Sequence, residues 1–301
     1  MSKQKVLAIV GPTGIGKTSL SVKLAKQFNG EIISCDSMQV YRKMDVGTAK
    51  VTQEEMEEIP HYLIDVQDIE EDYNVKIFQE KCRASIEAIV EKGKFPILCG
   101  GTGLYLKAAL YDYTFEEEEE DSAYIEYLQS LSTQELYEML KEVDMKSLEK
   151  IHPNNRKRII RALEIAHTGQ TKSSREENQK HEPLYDVYFL GLDMDRSLLH
   201  DRINKRVDIM FENGLVEEVE SLFSDPKTWT YNSFMGIGYK EFKDYFLKEK
   251  TLEEVKTQIK TNSRRYAKKQ YTWFKNQMKV HWFERDDETI PEKVKEWLES
   301  K

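Results

Sequence analysis

The 301-residue chain is poor in cysteine and contains no long apolar run. Its three cysteines, Cys35, Cys82 and Cys99, lie far apart, and no Cys-x-x-Cys spacing occurs. This pattern argues against a zinc site and predicts reduced, mostly buried thiols in a cytoplasmic protein. No apolar stretch approaches the ~20 residues of a membrane span, and the first residues lead directly into a strand. We therefore expect neither a membrane partner nor a signal peptide.

Positive charge is also in deficit, since 45 lysines and arginines face 54 acidic residues and the net charge is −9. Such a balance by itself argues against a nucleic-acid partner. The acids are unevenly distributed, however, and residues 116–121 are six acids in a row. We interpret this run as a solvated linker that marks a domain boundary.

The cations that are present form two clusters, and aromatic side chains are interleaved with the larger one. Residues 255–283 carry eight basic residues and no acid, and a second cluster lies within residues 156–161. Taken alone, each cluster could equally be an ordinary exposed helix face or a surface that binds a polyanion. Two such clusters in an acidic protein favour a polyanionic partner. The basic residues are Lys256, Lys260, Arg264, Arg265, Lys268, Lys269, Lys275 and Lys279 in the first cluster, and Arg156, Lys157, Arg158 and Arg161 in the second.

The clearest motif is GPTGIGKTSL at residues 11–20, between an apolar strand pattern and a helical pattern. The spacing Gly11-x-x-x-x-Gly16-Lys17-Thr18 matches the phosphate-binding loop in full. Its lysine brings a cation to the phosphates, its threonine brings a hydroxyl to Mg²⁺, and the helix N-terminus adds its dipole. The motif predicts a diphosphate or triphosphate with magnesium, but it does not indicate ATP hydrolysis. The predicted loop ligands are Gly11, Thr13, Gly14, Ile15, Gly16, Lys17 and Thr18, with Thr18 as the metal ligand.

Strand and helix patterns alternate along the chain, which predicts an α/β fold with a doubly wound parallel sheet of the P-loop NTPase type. A charge-rich stretch without a strand pattern at residues 115–185 predicts a small inserted helical domain. The catalytic core is then residues 1–114 and 186–301. The predicted strands are 5–10, 31–36, 61–65, 95–99 and 185–190, and the predicted helices are 19–28, 75–91, 198–223 with a break near Gly214, and 252–278.

Polar motifs follow three of these strands at their carboxyl ends, where open parallel sheets bind ligands. They are the loop at residues 11–18, Asp36-Ser37-Met38-Gln39 at 36–39, and Gly100-Gly101-Thr102-Gly103 at 100–103. We expect all three in one cleft. Asp36 beside a phosphate loop suits a magnesium ligand or a general base, and a turn or helix cap is the ordinary alternative.

Eight sequence blocks in a fixed order resemble the bacterial tRNA dimethylallyltransferases (tRNA isopentenyltransferases), over about residues 5–284. The combination is highly specific, although the phosphate loop alone is not. The blocks are GPTGIGKT at 11–18, DSMQVYR at 36–42, GTAK at 47–50, PHYLID at 60–65, GGTGLY at 100–105, RIIRALE at 158–164, GIGYKE at 236–241 and YAKKQYTWF at 266–274.

This resemblance implies a prenyl transfer in which the phosphates are a leaving group. The loop would hold the diphosphate of dimethylallyl diphosphate, with Mg²⁺ as cofactor. The acceptor would be the N6 amine of the adenosine at position 37, just 3′ of the anticodon, in tRNAs that read codons beginning with U. The helical insert would grip the anticodon stem-loop, and we expect the enzyme to be a monomer.

The resemblance also implies roles for individual residues. Asp36 would be the general base, Thr102 would lie near the reacting amine, and Lys17 would stabilise the departing diphosphate. Arg202 or Arg206 would reach the diphosphate, and a surface ion pair is the ordinary alternative for both. The implied tRNA-binding residues are Asp36, Ser37, Met38, Gln39, Thr102, Lys157, Arg158, Ile159, Ile160, Arg161, Gly238, Tyr239 and Lys240.

Three other functions share part of this pattern. A small-molecule or nucleotide kinase shares the loop, the sheet and magnesium, but it leaves the basic clusters unexplained. A relative that prenylates free AMP needs no helical insert. A non-catalytic RNA-binding module gated by a nucleotide needs no base such as Asp36 beside the loop.

Overall fold

A computed structural model of the chain describes residues 3–115, 121–179 and 181–300. The chain divides into two compact units, which are Met1–Tyr111 with Pro183–Lys301 (unit 1) and Asp112–Glu182 (unit 2). The predicted insert, residues 115–185, is shifted by three residues toward the C-terminus relative to unit 2. Most of the acidic run that suggested the boundary, residues 116–120, lies outside the described residues.

Unit 1 is built on a parallel sheet. Its described strands have the order β3-β2-β4-β1-β5-β6, and every neighbouring pair is parallel. The predicted α/β fold with a parallel sheet is therefore confirmed. The strands are Lys5–Val10 (β1), Gly30–Ser34 (β2), His61–Tyr62 (β3), Phe95–Gly100 (β4), Asp186–Asp193 (β5) and His281–Glu284 (β6).

The central strand β1 explains the apolar run at the start of the chain. It pairs with β4 on one side and β5 on the other, and residues 6–10 are fully buried. A parallel strand that is covered on both faces needs a continuous apolar sequence instead of an alternating one.

Helices cover this sheet, and the described secondary structure of unit 2 is helical. Among the described helices, none combines the length and the apolar character that a membrane span requires. Those of unit 1 are Lys17–Gln27 (α1), Gln53–Met56 (α2), Val75–Glu91 (α3), Gly103–Leu110 (α4), Arg196–Glu212 (α9), Leu215–Phe223 (α10), Phe242–Phe246 (α11), Leu252–Gln277 (α12) and Ile290–Glu299 (α13). Those of unit 2 are Ser122–Ser130 (α5), Thr133–Val143 (α6), Arg156–His167 (α7) and Lys172–Asn178 (α8).

Local signals set several helix ends. Asn74 caps α3 by accepting from the backbone N–H groups of residues 76 and 77. Thr251 and Glu254 form a reciprocal capping box at the start of α12. Gly214 separates α9 from α10 with φ of +91°, which confirms the predicted break there.

Two sequence predictions of strands need correction. The predicted strand at residues 61–65 ends after Tyr62, because Leu63 and Asp65 have φ of +61° and +55° and leave the extended conformation. The edge strand β6 and the following α13 were not predicted. Four residues with exposed ends give too short a pattern to recognise.

Unit 2 has a hydrophobic core of its own. The buried side chains come from three of its helices and from Ile151, and Ile159 of α7 is fully buried among them. Asp144 is also buried, and its carboxylate accepts hydrogen bonds from Ser147 and Ser173. The core side chains are Leu128, Leu136, Leu140, Ile151, Ile159, Ala162 and Leu163.

Candidate active site

The phosphate-binding loop joins β1 to α1 and turns at three glycines. Gly11, Gly14 and Gly16 have φ of +142°, +80° and +109°, which residues with a Cβ rarely adopt. A Cβ on Gly11 would also lie 3.1 Å from the carbonyl oxygen of Leu192 in β5. The loop leads into the first turn of α1, where backbone N–H groups have no partners within the helix.

Lys17 is the first residue of α1 and folds back over the loop. Its Nζ donates to the carbonyl oxygens of Gly11 at 3.0 Å and Pro12 at 2.8 Å. Burial lowers the pKa of Lys17 to about 8; the charge of Arg206 acts in the same direction, and Asp36 opposes it. A bound anion would favour the charged form of this lysine, so the loop is suited to phosphate.

A cavity of about 590 Å³ lies beside the loop within unit 1. Its wall includes residues from all three strand-end motifs, which therefore meet in one cleft as the sequence predicts. The two arginines of α9 complete the wall. The lining residues include Thr13, Gly14, Gly16, Lys17, Thr18, Asp36, Gln39, Gly100, Gly101, Arg202, Arg206, Tyr266 and Gln270.

Gln270 of α12 holds two of these motifs at a fixed separation. Its Oε1 accepts from the backbone N–H of Thr13 at 2.9 Å, and its Nε2 donates to the carbonyl oxygen of Gly101 at 3.1 Å. A Cβ on Gly101 would lie 2.0 Å from that Nε2, so only glycine allows the approach. The sequence contains Gln270 in a family block but gave no sign of this role.

Asp36 follows β2 and presents one carboxylate oxygen to its own turn. Oδ1 accepts from the backbone N–H groups of Met38 at 2.8 Å and Gln39 at 3.3 Å. Oδ2 has no hydrogen-bond partner among the described residues. Asp36 therefore stabilises its turn through Oδ1, which is the alternative that the sequence left open. Its Oδ2 is still available as an acceptor.

Tyr266 of α12 joins the site and was not predicted as a site residue. Its hydroxyl lies close to the side chains of Thr102 and Gln270. Burial, together with the nearby charge of Asp36, raises the pKa of Tyr266 to about 12, so the hydroxyl keeps its proton at neutral pH. Tyr266 thereby links Thr102, at the N-cap of α4, to the wall that contains Asp36.

Two arginines of α9 contact the phosphate loop. Arg202 Nε donates to the carbonyl oxygen of Gly14 at 2.9 Å, and Arg206 Nη1 donates to Thr13 Oγ1 at 3.2 Å. Burial lowers the pKa of both side chains, but a guanidinium stays charged in proteins. Neither forms an ion pair with a carboxylate among the described residues, so the surface-pair alternative is not observed.

A second cavity of about 270 Å³ shares part of this wall. Thr13, Asp36, Arg206 and Tyr266 line both cavities. Asp36 therefore stands between a cavity that contains the phosphate loop and a more apolar one. The other lining residues of the second cavity include Ser37, Met38, Thr48, Ile203, Val207, Met210, Met235, Ile237 and Lys240.

Comparison with known proteins identifies the family of this chain. The family described as IPP transferase matches residues 39–277. The chain belongs to the IPP transferase family. A tRNA dimethylallyltransferase of Bacillus anthracis is 51% identical over all of this chain and 97% of its own length. A protein of the same name from Bacillus cereus strain AH187 is 50% identical over all of this chain and 96% of its own length.

Solved structures of the family have the same fold. A tRNA isopentenylpyrophosphate transferase of Bacillus halodurans is 43% identical with a TM-score of 0.74, covering 98% of this chain and 96% of that one. Its counterpart from Staphylococcus epidermidis is 42% identical with a TM-score of 0.73, covering 98% and 99%. A eukaryotic dimethylallyltransferase described as acting on tRNA is 33% identical with a TM-score of 0.82, covering 94% and 74%. The predicted family is therefore confirmed, and with it the prediction of a transferase enzyme.

The residues of this IPP transferase family member that were predicted to contact RNA lie in different parts of the site. Ser37, Met38 and Lys240 line the second cavity. Gln39 lines the first cavity and is also bound internally, because its Oε1 accepts from Ser34 at 3.2 Å and its Nε2 donates to backbone carbonyls at 3.3 and 3.4 Å. A ligand that contacts the Gln39 side chain must therefore share or replace these bonds.

Tyr239 and Gly238 have structural contacts that the sequence did not reveal. The buried Tyr239 hydroxyl donates to Glu218 at 2.7 Å, and the same carboxylate accepts the backbone N–H groups of residues 45–47 at 2.7–3.0 Å. Gly238 adopts φ of +101° against this segment. The Tyr239 side chain is unavailable to RNA, which corrects the prediction for that residue. Its contacts instead fix the segment whose Thr48 carbonyl accepts from Arg206.

The basic cluster of α12 is partly neutralised within unit 1. Lys256 and Lys260 both pair with Asp208, at 2.8 and 2.7 Å. Arg264 donates to a side chain of α9, and Lys275 lies over two aromatic rings. These four residues therefore already have partners within unit 1 and are not simply a free exposed helix face. The remaining cations of the cluster are exposed, and they are Arg265, Lys268, Lys269 and Lys279.

The second cluster, in α7 of unit 2, is also mixed. Arg156 donates to backbone carbonyl oxygens of residues 129 and 131, at 2.7 and 2.6 Å, and so has a structural role. Ile159 is fully buried, so its side chain cannot reach RNA, which corrects that prediction, and Ile160 packs against the same core. The exposed cations are Lys157, Arg158 and Arg161, of which Arg161 also pairs with Glu164 at 3.0 Å.

The lowered pKa of Lys17 predicts a pH dependence for diphosphate binding. Below about pH 8 the lysine is charged, and above it the free protein loses that charge. Phosphate esters are already fully ionised there. The Kd for dimethylallyl diphosphate, measured by calorimetry, should rise by up to tenfold per pH unit above about pH 8. In Lys17→Arg the charge persists and Kd should stay level, whereas a level wild-type profile would contradict the assignment.

Proposed function

We propose that this chain transfers a dimethylallyl group from dimethylallyl diphosphate to the N6 amine of the adenosine at position 37 of tRNA, and releases diphosphate. The substrates are tRNAs that read codons beginning with U. Full-length relatives named tRNA dimethylallyltransferase support transfer of this group to tRNA. The proposed transfer to the N6 amine rests on the position of Asp36, which lies on the wall shared by the two cavities.

The leaving group occupies the first cavity in this proposal. The diphosphate lies against the loop N–H groups, with Lys17, Arg202 and Arg206 around it. When the bond between the allylic carbon and oxygen breaks, negative charge develops on the diphosphate, and fixed cations stabilise that charge without reorganising. The buried environment strengthens the effect, because screening by water is reduced.

Asp36 acts on the nucleophile. An adenine amine is a weak nucleophile, since its lone pair is delocalised into the ring. As N6 forms its bond to the allylic carbon, it loses one proton, which Asp36 Oδ2 accepts. Tyr266 shares the wall of both cavities with Asp36 and lies close to Thr102, so in this proposal these two hydroxyl groups help to orient the amine. The base must be flipped out of the anticodon loop to reach the site.

Magnesium fits the donor chemistry of the loop. Thr18 lies in the wall of the first cavity, and its hydroxyl is a suitable ligand. The described residues contain no group of three or more His, Cys, Asp or Glu side chains that could hold a metal. Mg²⁺ is octahedral and commonly keeps several waters besides its bonds to substrate phosphate oxygens, so the Thr18 hydroxyl and a diphosphate would supply part of its ligands and water the rest. When bound, the ion would neutralise charge on the diphosphate.

We further propose that tRNA contacts Ser37, Met38 and Lys240 at the second cavity and the exposed cations of α12. Unit 2 would grip the anticodon stem-loop through Lys157, Arg158 and Arg161. A cytoplasmic location and a monomeric state remain expectations from the sequence.

A single experiment tests the proposed reaction against its alternatives. Labelled dimethylallyl diphosphate is incubated with the protein and either tRNA, AMP or ATP. We expect label in tRNA only, at the adenosine 3′ of the anticodon, and no loss of ATP. Lys17→Ala should weaken dimethylallyl diphosphate binding and slow the reaction. Label in AMP would indicate an AMP prenyltransferase, and ADP formed in step with product would indicate a kinase.

The base assignment predicts that Asp36→Asn lowers prenyl transfer by roughly 10²-fold or more. The amide keeps the shape and can still accept the backbone hydrogen bonds, but it cannot take the proton. The dissociation constant for tRNA should change little, and it serves as the control for folding. Turnover close to the wild-type rate would remove Asp36 from the chemical step.

The cluster in unit 2 predicts a salt dependence. Reversing the exposed pair Lys157 and Arg158 to glutamate should raise the KM for tRNA. It should also flatten the log–log salt slope of tRNA affinity by up to about 0.9 for each lost phosphate contact. Dimethylallyl diphosphate affinity should stay constant. The matched control reverses two exposed lysines of unit 1, Lys23 and Lys227. An unchanged slope in the Lys157 and Arg158 variant would contradict the tRNA contact.

A further inference from the structure

One arginine beside the phosphate loop, Arg285, has no part in the reaction proposed above. Arg285 follows β6 directly, outside the residues 39–277 that match the family. A Cβ on Gly16 would lie 3.1 Å from Arg285 Nε, so this side chain packs against the last glycine of the loop. About a third of its side chain is exposed, and it lies behind Gly16, which lines the first cavity although Arg285 itself is not among the lining residues.

The sheet itself brings Arg285 to this place. Glu284 of β6 lies opposite Asp193 of β5, and the backbone N–H of Arg285 donates to the Asp193 carbonyl at 3.0 Å. The carboxyl ends of β1, β5 and β6 therefore lie at the same end of the sheet. Since the phosphate loop leaves the sheet at that end, the position of Arg285 is set by backbone pairing and not by a flexible tail.

Arg285 and Arg202 contact the same loop two residues apart, at Gly16 and Gly14. The charge of Arg285 is close enough to contribute to the lowered pKa of Arg202, after burial. Arg202 contacts Gly14 through Nε, and Arg285 packs on Gly16, so the two cations flank the loop from α9 and from the end of β6. Neighbouring like charges repel, and an anion bound between them removes that cost.

The neighbouring acid, Asp286, does not neutralise Arg285 and Arg202. Asp286 Oδ1 lies 3.7 Å from Arg285 Nη1, but the Asp286 side chain is 85% exposed. Ion pairs with so exposed a partner are weak in water. A diphosphate in the loop offers several oxygens, and guanidinium groups bind such oxygens through charge-assisted hydrogen bonds.

We propose that Arg285 is a further diphosphate-binding residue, which with Arg202 clamps the phosphate end of the donor against the loop. The inference rests on the proposed function for the identity of the donor, but not for the binding of a diphosphate. It gives the segment after β6 a part in the site, which neither the sequence motifs nor the family match includes.

The test compares Arg285→Met with wild type. Methionine keeps an unbranched apolar stem against Gly16 and removes the guanidinium. We expect the KM for dimethylallyl diphosphate and the Kd for inorganic diphosphate each to rise about tenfold, with the KM for tRNA and the melting temperature unchanged. Arg285→Lys should recover part of the loss. Lys295→Ala is the matched control, because it removes one cation from α13 in the same C-terminal segment and should change neither constant.

Two results would overturn the proposal. One is an inorganic diphosphate Kd within twofold of wild type, which would make Arg285 irrelevant to the anion. The other is a lowered melting temperature together with equal losses for both substrates, which would make Arg285 a structural brace of the loop. The binding measurement needs no prenyl transfer. If wild-type protein fails to modify tRNA, the proposed function fails while the calorimetry still decides the role of Arg285.

Discussion

All strands of the sheet run in one direction, and the site depends on that constraint. The register places Val10 of β1 level with Gly100 of β4 and Gly191 of β5, so the segments after these strands leave the sheet along one edge. β6 extends the edge to Arg285. Backbone pairing thus places the phosphate loop and the glycine-rich segment side by side. Gln270 then fixes the separation of the loop and the glycine-rich segment with one hydrogen bond to each.

The cations gathered at this edge make the free protein electrostatically unfavourable there. Burial lowers the pKa of Lys17 and Arg206, and Arg202 faces the like charge of Arg285. In α12, by contrast, Asp208 neutralises two lysines within unit 1. Around the loop the described carboxylates do not form such close pairs, apart from the exposed Asp286. In the proposed reaction a bound diphosphate would relieve the imbalance, and the relief would grow as the leaving group gains charge in the transition state.

Local patterns predicted the parts of the structure that local interactions decide. The phosphate loop, β1 and the bounds of α3 follow from neighbouring residues. Contacts between distant segments could not be predicted in this way: Thr13 and Gln270 lie 257 residues apart. The basic run of α12 looked free because its partner, Asp208, comes from a different helix. The predicted strand at residues 61–65 was too long, since its three central residues resemble a strand while the backbone at Leu63 turns to positive φ.

The wall between the two cavities distinguishes the proposed reaction from phosphoryl transfer. In phosphoryl transfer the acceptor attacks phosphorus, so it needs only a place beside the terminal phosphate. In prenyl transfer the acceptor attacks carbon, so it must be held beyond the phosphates, with the allylic carbon between them. In the proposed reaction Asp36 on the shared wall would take the proton, while the loop and its cations would take the charge. The apolar side chains beyond Asp36, such as Met38, Met210 and Met235, would also keep water from the allylic carbon, whose hydrolysis would otherwise compete with transfer to the amine.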